Sequence, residues 1–151
     1  MLINLLMGLP TMVFCLLLQS LLIIVVVRYY GSHSDMVESP SLLSSLVVIN
    51  VVMLLLVVGN LMQVAIWALL FQSLGEFPEY AEAFYHSAVN FATLGYGDFV
   101  MSERHKLLGP LEAINGVLMI GVSTAALLSA FQDSLKKTLQ ARNGAGDPRR
   151  D

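Results

Sequence analysis

The chain has 151 residues, 56% of them hydrophobic and only 13% charged, with a formal net charge of −3 and a mean hydropathy of +0.73. A soluble domain carries about twice that charged share, so a water-soluble globule is excluded first. The small acidic balance and the lack of a basic stripe exclude nucleic acid as a partner, and the single cysteine, Cys15, excludes an intrachain disulfide.

The first apolar run covers about residues 2–27. It lacks a basic leader and a small-residue cleavage site, so it reads as a retained membrane helix, kinked near Gly8–Pro10. Residues 28–40, RYYGSHSDMVESP, read as a short polar loop, with Ser39 as N-cap and Pro40 opening the next helix. A second span follows at about 41–71. Asn50, Asn60 and Gln63 interrupt it, and polar residues in such helices suit hydrogen bonds between packed spans.

Gly75 and Pro78 end that helix and start another, of about residues 79–92. This segment is too short and too polar to cross about 30 Å of hydrocarbon, so it reads as re-entrant. The stretch NFATLGYGDFV, residues 90–100, follows it, and the last span occupies about 107–131. The remainder, 132–151, holds Lys136, Lys137, Arg142, Arg149 and Arg150, and its end, RNGAGDPRRD, has a disordered composition. The expected fold is therefore an all-α membrane protein with three transmembrane helices, a re-entrant helix and a glycine-rich loop. By the bias of lysine and arginine, the basic tail and the 28–40 loop are cytoplasmic. Arg104 and Lys106, on the opposite side, count against that orientation.

Irregular backbone at membrane depth is tolerated only when buried in protein or lining a water-filled path. A glycine-rich loop whose carbonyls point inward from several copies can replace the water shell of a cation, and one chain supplies one strand of such a path. TLGYGD, Thr93–Asp98, resembles the potassium-channel selectivity filter, usually TVGYGD. The resemblance covers about residues 44–131 and is closest to bacterial channels with a two-helix pore.

The resemblance implies a homotetramer in the bacterial inner (plasma) membrane that passes potassium ions passively. Residues 1–40 would be an added N-terminal helix with its loop, 41–131 the pore domain and 132–151 a cytoplasmic tail. Thr93, Leu94, Gly95 and Tyr96 would offer carbonyls to the ion, Gly97 would permit the outer turn, and Asp98 would hold the filter from outside. Leu94 departs from the usual valine, and Tyr85 and His86 stand where a tryptophan pair is common. Tyr85 could still donate toward Asp98. Val89 stands where some members carry a glutamate, and Ala92 where a second threonine is often found.

Two readings stay open for His86: a group titrating near neutrality behind the filter, or a hydrogen-bonded packing residue. Glu112, an acid inside a span, is a functional-site candidate, either bracing the filter by pairing with His86 or Asn90 or facing water. Gly116 and Gly121 are candidates for a gating hinge or for close helix packing. Below them, Ser123 and Thr124 suit a wetted cavity, and Leu127, Leu128 or Phe131 suit a hydrophobic constriction. Acids at 76, 79, 82, 98 and 103 suit either a cation-gathering mouth or a solvated rim.

No span carries arginines at every third position, which excludes a voltage sensor of the usual kind. No nucleophile–base pair, phosphate loop or metal-ligand cluster appears, so neither an enzyme nor a cofactor is expected beyond the permeant ion. The rival readings are a weakly selective cation channel and a non-conducting adaptor subunit with a pore-like fold. A transporter would normally show internal repeats, and none is present.

Overall fold

A computed structural model describes residues 1–37 and 42–145 of the chain. It contains five helices among those residues: α1 (Leu2–Ser32), α2 (Ser34–Val37), α3 (Leu42–Ser73), α4 (Tyr80–Phe91) and α5 (Leu108–Ala145). Three stretches, Leu2–Ser32, Leu43–Ser73 and Leu108–Ala141, are long and apolar enough to cross a membrane. At 1.5 Å per residue, 31 residues reach about 46 Å, longer than the roughly 30 Å of hydrocarbon. The expected N-cap Ser39 and first-turn Pro40 lie outside the described residues.

Most of the expected 28–40 loop is helical. α1 runs on to Ser32, and α2 adds one more turn. Side chains explain this. Ser32 Oγ donates to the Tyr29 carbonyl at 2.8 Å, and His33 Nδ1 lies 2.9 Å from the same oxygen. The Tyr29 and His33 rings meet at 4.4 Å. End carbonyls satisfied in this way let a helix persist in a polar stretch. α5 likewise continues past the end expected near residue 131, taking in residues 142–145 of the stretch read as disordered.

Two compact units divide the chain. The first joins residues 1–21 to 58–122, and the second joins 22–57 to 123–151.

In the first unit, Trp67, Phe71, Phe77, Ala83, Leu108 and Cys15 form one buried cluster. A smaller cluster, Val64, Phe91 and Met119, lies beneath the end of α4. The N-terminal half of α1 is built into this unit. A Cβ on Gly8 would sit 2.6 Å from Leu111 Cδ1, so the missing side chain lets α1 approach α5 closely. Gln63 Nε2 donates to Gln19 Oε1 at 2.8 Å, the bond between spans expected of Gln63. Asn50, which belongs to the second unit, instead donates to Leu46 O on its own helix.

In the second unit, Val26, Val52 and Leu56 make the core, with Leu22, Ile23 and Leu127 against it. Leu127 therefore packs inward here, while Leu128 and Phe131 are exposed. Ser123 is buried and Thr124 exposed. Tyr30 donates to Asp133 Oδ2 at 2.9 Å, and Thr138 Oγ1 lies 2.8 Å from Ser45 Oγ while donating to Val37 O at 3.1 Å.

Candidate functional site

α4 begins after Glu79, whose backbone is extended, and ends at Ala92. Its end is closed by two bonds: Thr93 N donates to Asn90 O and Leu94 N to Val89 O, both at 2.8 Å. This is the pattern in which the residue after the cap turns left-handed, a position that usually belongs to glycine. α3 ends the same way with Gly75 in that role at φ +73°, but α4 places Thr93 there at φ +58°. A β-branched residue at positive φ is strained and points to function.

The left-handed angle recurs at alternate positions. Thr93, Gly95 and Gly97 have φ of +58°, +61° and +75°, and Thr93 is the only non-glycine among the described residues with positive φ. Left-handed residues at alternate positions turn successive peptide planes so that their carbonyls can share one side. Nothing lies within 4 Å of a Cβ built on Gly95 or Gly97, so these glycines are required by backbone angle and not by crowding within the chain. The loop lies open along one edge, with Leu94 54% and Tyr96 64% exposed.

Side chains from α4 hold the far end of this loop. Tyr85 donates to Asp98 Oδ2 at 2.7 Å, and Asp98 Oδ1 accepts from Phe99 N at 3.1 Å. The Tyr85 hydroxyl holds the Asp98 carboxyl below its ordinary range, and the same bond pushes the phenol up. His86 stands one residue on, with Nδ1 2.9 Å from Phe99 O and Nε2 2.9 Å from Asn90 Nδ2. A carbonyl can only accept, so Nδ1 carries the proton and Nε2 accepts from the amide. Burial pushes this imidazole below 6.5, the bond to Phe99 O opposing it. Both ring nitrogens of His86 are therefore engaged in hydrogen bonds.

Beyond the loop, Glu76 gathers three donors: Ser102 N at 2.6 Å, Ser102 Oγ at 2.7 Å and His105 Nδ1 at 2.5 Å. Its side chain and that of His105 are each 6% exposed. Burial alone would raise this carboxyl, but the Ser102 and His105 bonds outweigh it and hold the group below the usual range. Asn4 of α1 donates to Arg104 O at 3.0 Å, so the same loop is held from the N-terminus as well.

Behind α4, Glu112 is fully buried. Ser87 is bonded to it, and of the two expected partners Asn90 reaches the carboxyl while His86 does not. Ser87 Oγ also lies 2.8 Å from Val64 O of α3. Gly116 packs directly on the end of α4, where a Cβ would sit 2.1 Å from Phe91 O, whereas Gly121 has nothing within 4 Å. The two hinge candidates therefore differ: Gly116 is a packing glycine, and Gly121 stands in open space.

Sequence reasoning missed Ser87, Ser102, His105 and Asn4. Small polar residues at 87 and 102 carry no pattern of their own. The one available signal was Asn4, an amide buried at the head of an apolar run.

A cleft of about 480 Å³ opens beside the loop, bounded by His86, Asn90, Gly95, Gly97 and Phe99 among others. A protein-family model described as an ion channel matches residues 51–133, more than half of the chain. No curated protein matches the chain. No solved structure matches it.

Proposed function

The chain belongs to the ion-channel family, and from that membership we propose that this multi-pass membrane protein is a potassium-selective channel. The observation that carries the reading is the alternation of positive φ at Thr93, Gly95 and Gly97 within TLGYGD. Carbonyls of Thr93, Leu94, Gly95 and Tyr96 replace the hydration shell of K+ as it passes, which is the general mode of carbonyl-lined filters. The C-terminal, electronegative end of α4 favours a cation at the inner entrance. Asp98, held by Tyr85, fixes the outer end.

One strand cannot surround an ion, so symmetry supplies the others, and the resemblance to potassium-channel filters implies four copies around a central axis. The open edge of the loop, with Leu94 and Tyr96 uncovered, and the adjoining cleft suit coverage by neighbouring copies. The channel sits in the bacterial plasma membrane with its basic C-terminal segment on the cytoplasmic side. No co-reactant or bound group is required, since a permeant ion moving down its gradient needs no chemistry.

The test is ion flux from liposomes containing the purified chain, with potassium and sodium gradients run in parallel. Flux with potassium and not sodium is the expected result, and Gly95→Ala abolishes it. Equal flux with both ions would make this a weakly selective cation pore. No flux across a wide pH range would favour a non-conducting adaptor. Chemical cross-linking in the membrane checks the stoichiometry, with a species of four chains expected.

A further inference from the structure

Ser87 Oγ makes two close contacts at once. One is to Val64 O, the other to Glu112 Oε1. A hydroxyl has one hydrogen and can donate it once, while its lone pairs accept. A backbone carbonyl has no hydrogen to give. If the hydroxyl donates to Val64 O, the contact with Glu112 needs a proton from the carboxyl. If it donates to a carboxylate, Val64 O faces the hydroxyl oxygen at 2.8 Å with no hydrogen between them.

The surroundings of Glu112 favour the first arrangement. Its other oxygen, Oε2, is buried and has no hydrogen-bond partner. A carboxylate would leave half of its charge on that atom, in a segment that crosses hydrocarbon, whereas a neutral acid leaves only a carbonyl there. Among the described residues no ion pair reaches it. The groups around it are uncharged: Ser87 and Asn90 from α4, and the Cys15 thiol from α1. Trp67 of α3 packs with Cys15. Asn115, one turn along α5, is fully buried and uncharged, beside the same Cys15 thiol.

We infer that Glu112 is a neutral carboxylic acid whose proton is donated to Ser87, and that this bond fastens α5 to the back of α4. Ser87 then passes its own hydrogen to Val64 O, so three helices are joined through one acid and one hydroxyl. Glu112 is a positioning residue: it acts on the loop through α4 and touches no ion. The effect on flux rests on the channel reading; the protonation does not.

The experiment is infrared spectroscopy of the full chain in liposomes at neutral pH, parent against Glu112→Gln. A carbonyl band of a protonated carboxylic acid, absent in Glu112→Gln, is expected. In Ser87→Ala the band moves to higher frequency, because the acid loses its acceptor. Only carboxylate bands in the parent-minus-variant difference would overturn the proposal. Flux adds a second arm. Glu112→Gln still offers an N–H to Ser87 and keeps potassium flux within about threefold of the parent, while Glu112→Leu, with no donor, loses about tenfold or more. Parent-level flux in Glu112→Leu would overturn the positioning role. If Glu112→Leu does not assemble, the infrared arm decides alone. A chain with the acid band and no flux would sink the channel reading and leave this one standing.

Discussion

Thr93 shows what a single residue is made to tolerate. Glycine would occupy its left-handed angle without strain, as Gly75 does at the end of α3. Threonine costs about 1–2 kcal/mol there. The proposed return is a hydroxyl at the entrance to the carbonyl path. Thr93→Gly is therefore expected to raise the thermal stability of the assembled protein, by about 1 kcal/mol per chain at most, since glycine's greater unfolded entropy offsets part of the gain, while lowering potassium flux in liposomes. His86 gives a pH prediction at the same scale. Its folded pKa lies below 6.5, so the unfolded chain binds the proton more readily. Its contribution to stability is full above 6.5 and falls as the pH drops through and below that value. Thermal melts from pH 8 to 5 check this, with a shallower slope expected in His86→Asn. Glu76 acts in a lower window. Its depressed pKa means that its clasp on Ser102 and His105 is intact above the ordinary carboxylate value of 4.5 and is lost as the pH falls through its lower folded value.

At the scale of elements, α4 and α5 meet without a side chain between them at Gly116, and the two α5 glycines separate cleanly. Gly116→Ala forces a Cβ into Phe91 O and is expected to cost about 1–3 kcal/mol or more per chain. Gly121→Ala meets nothing and removes a flexible point, so stability is expected to hold or rise by about 0.5–1 kcal/mol. Thermal unfolding in detergent measures both. Flux measured beside it tells whether bending at Gly121 matters, with lower flux in the stable Gly121→Ala variant expected if it is a hinge. The helices themselves were legible from hydropathy, since three long apolar runs and one short amphipathic one admit few other readings. Their ends were not. The continuation of α1 through Tyr29–Ser32 depends on Ser32 and His33 bonding back to the Tyr29 carbonyl. Such local bonds leave no periodicity to read.

Across the whole molecule, the filter-like loop was legible because its residues are consecutive, and its bracing was not because it is scattered. Tyr85 with Asp98 was expected from the resemblance, Tyr85 standing where a tryptophan is common. Ser87 with Glu112, Glu76 with Ser102 and Asn4 with Arg104 join positions 25, 26 and 100 residues apart. Nothing in a single sequence marks such pairs. The first helix also gains a definite place. Within the first unit it bonds to α3 through Gln19 and Gln63 and packs on α5 at Gly8. Gln63→Leu removes the donor of that bond and is expected to cost about 1–2 kcal/mol, read as a lower melting temperature. Gly8→Leu, which pushes α1 off Leu111, is expected to cost more.

The bond from Asn4 to Arg104 also orders events during synthesis. The first helix leaves the ribosome long before the residue it must hold, and it waits in the membrane until a hundred more residues have followed. Until Leu108 and Leu111 arrive, Gly8 has no surface to settle against. The loop at Arg104 is thus secured by a segment made 100 residues earlier. Its shape depends on both segments, and no fragment lacking either can hold it.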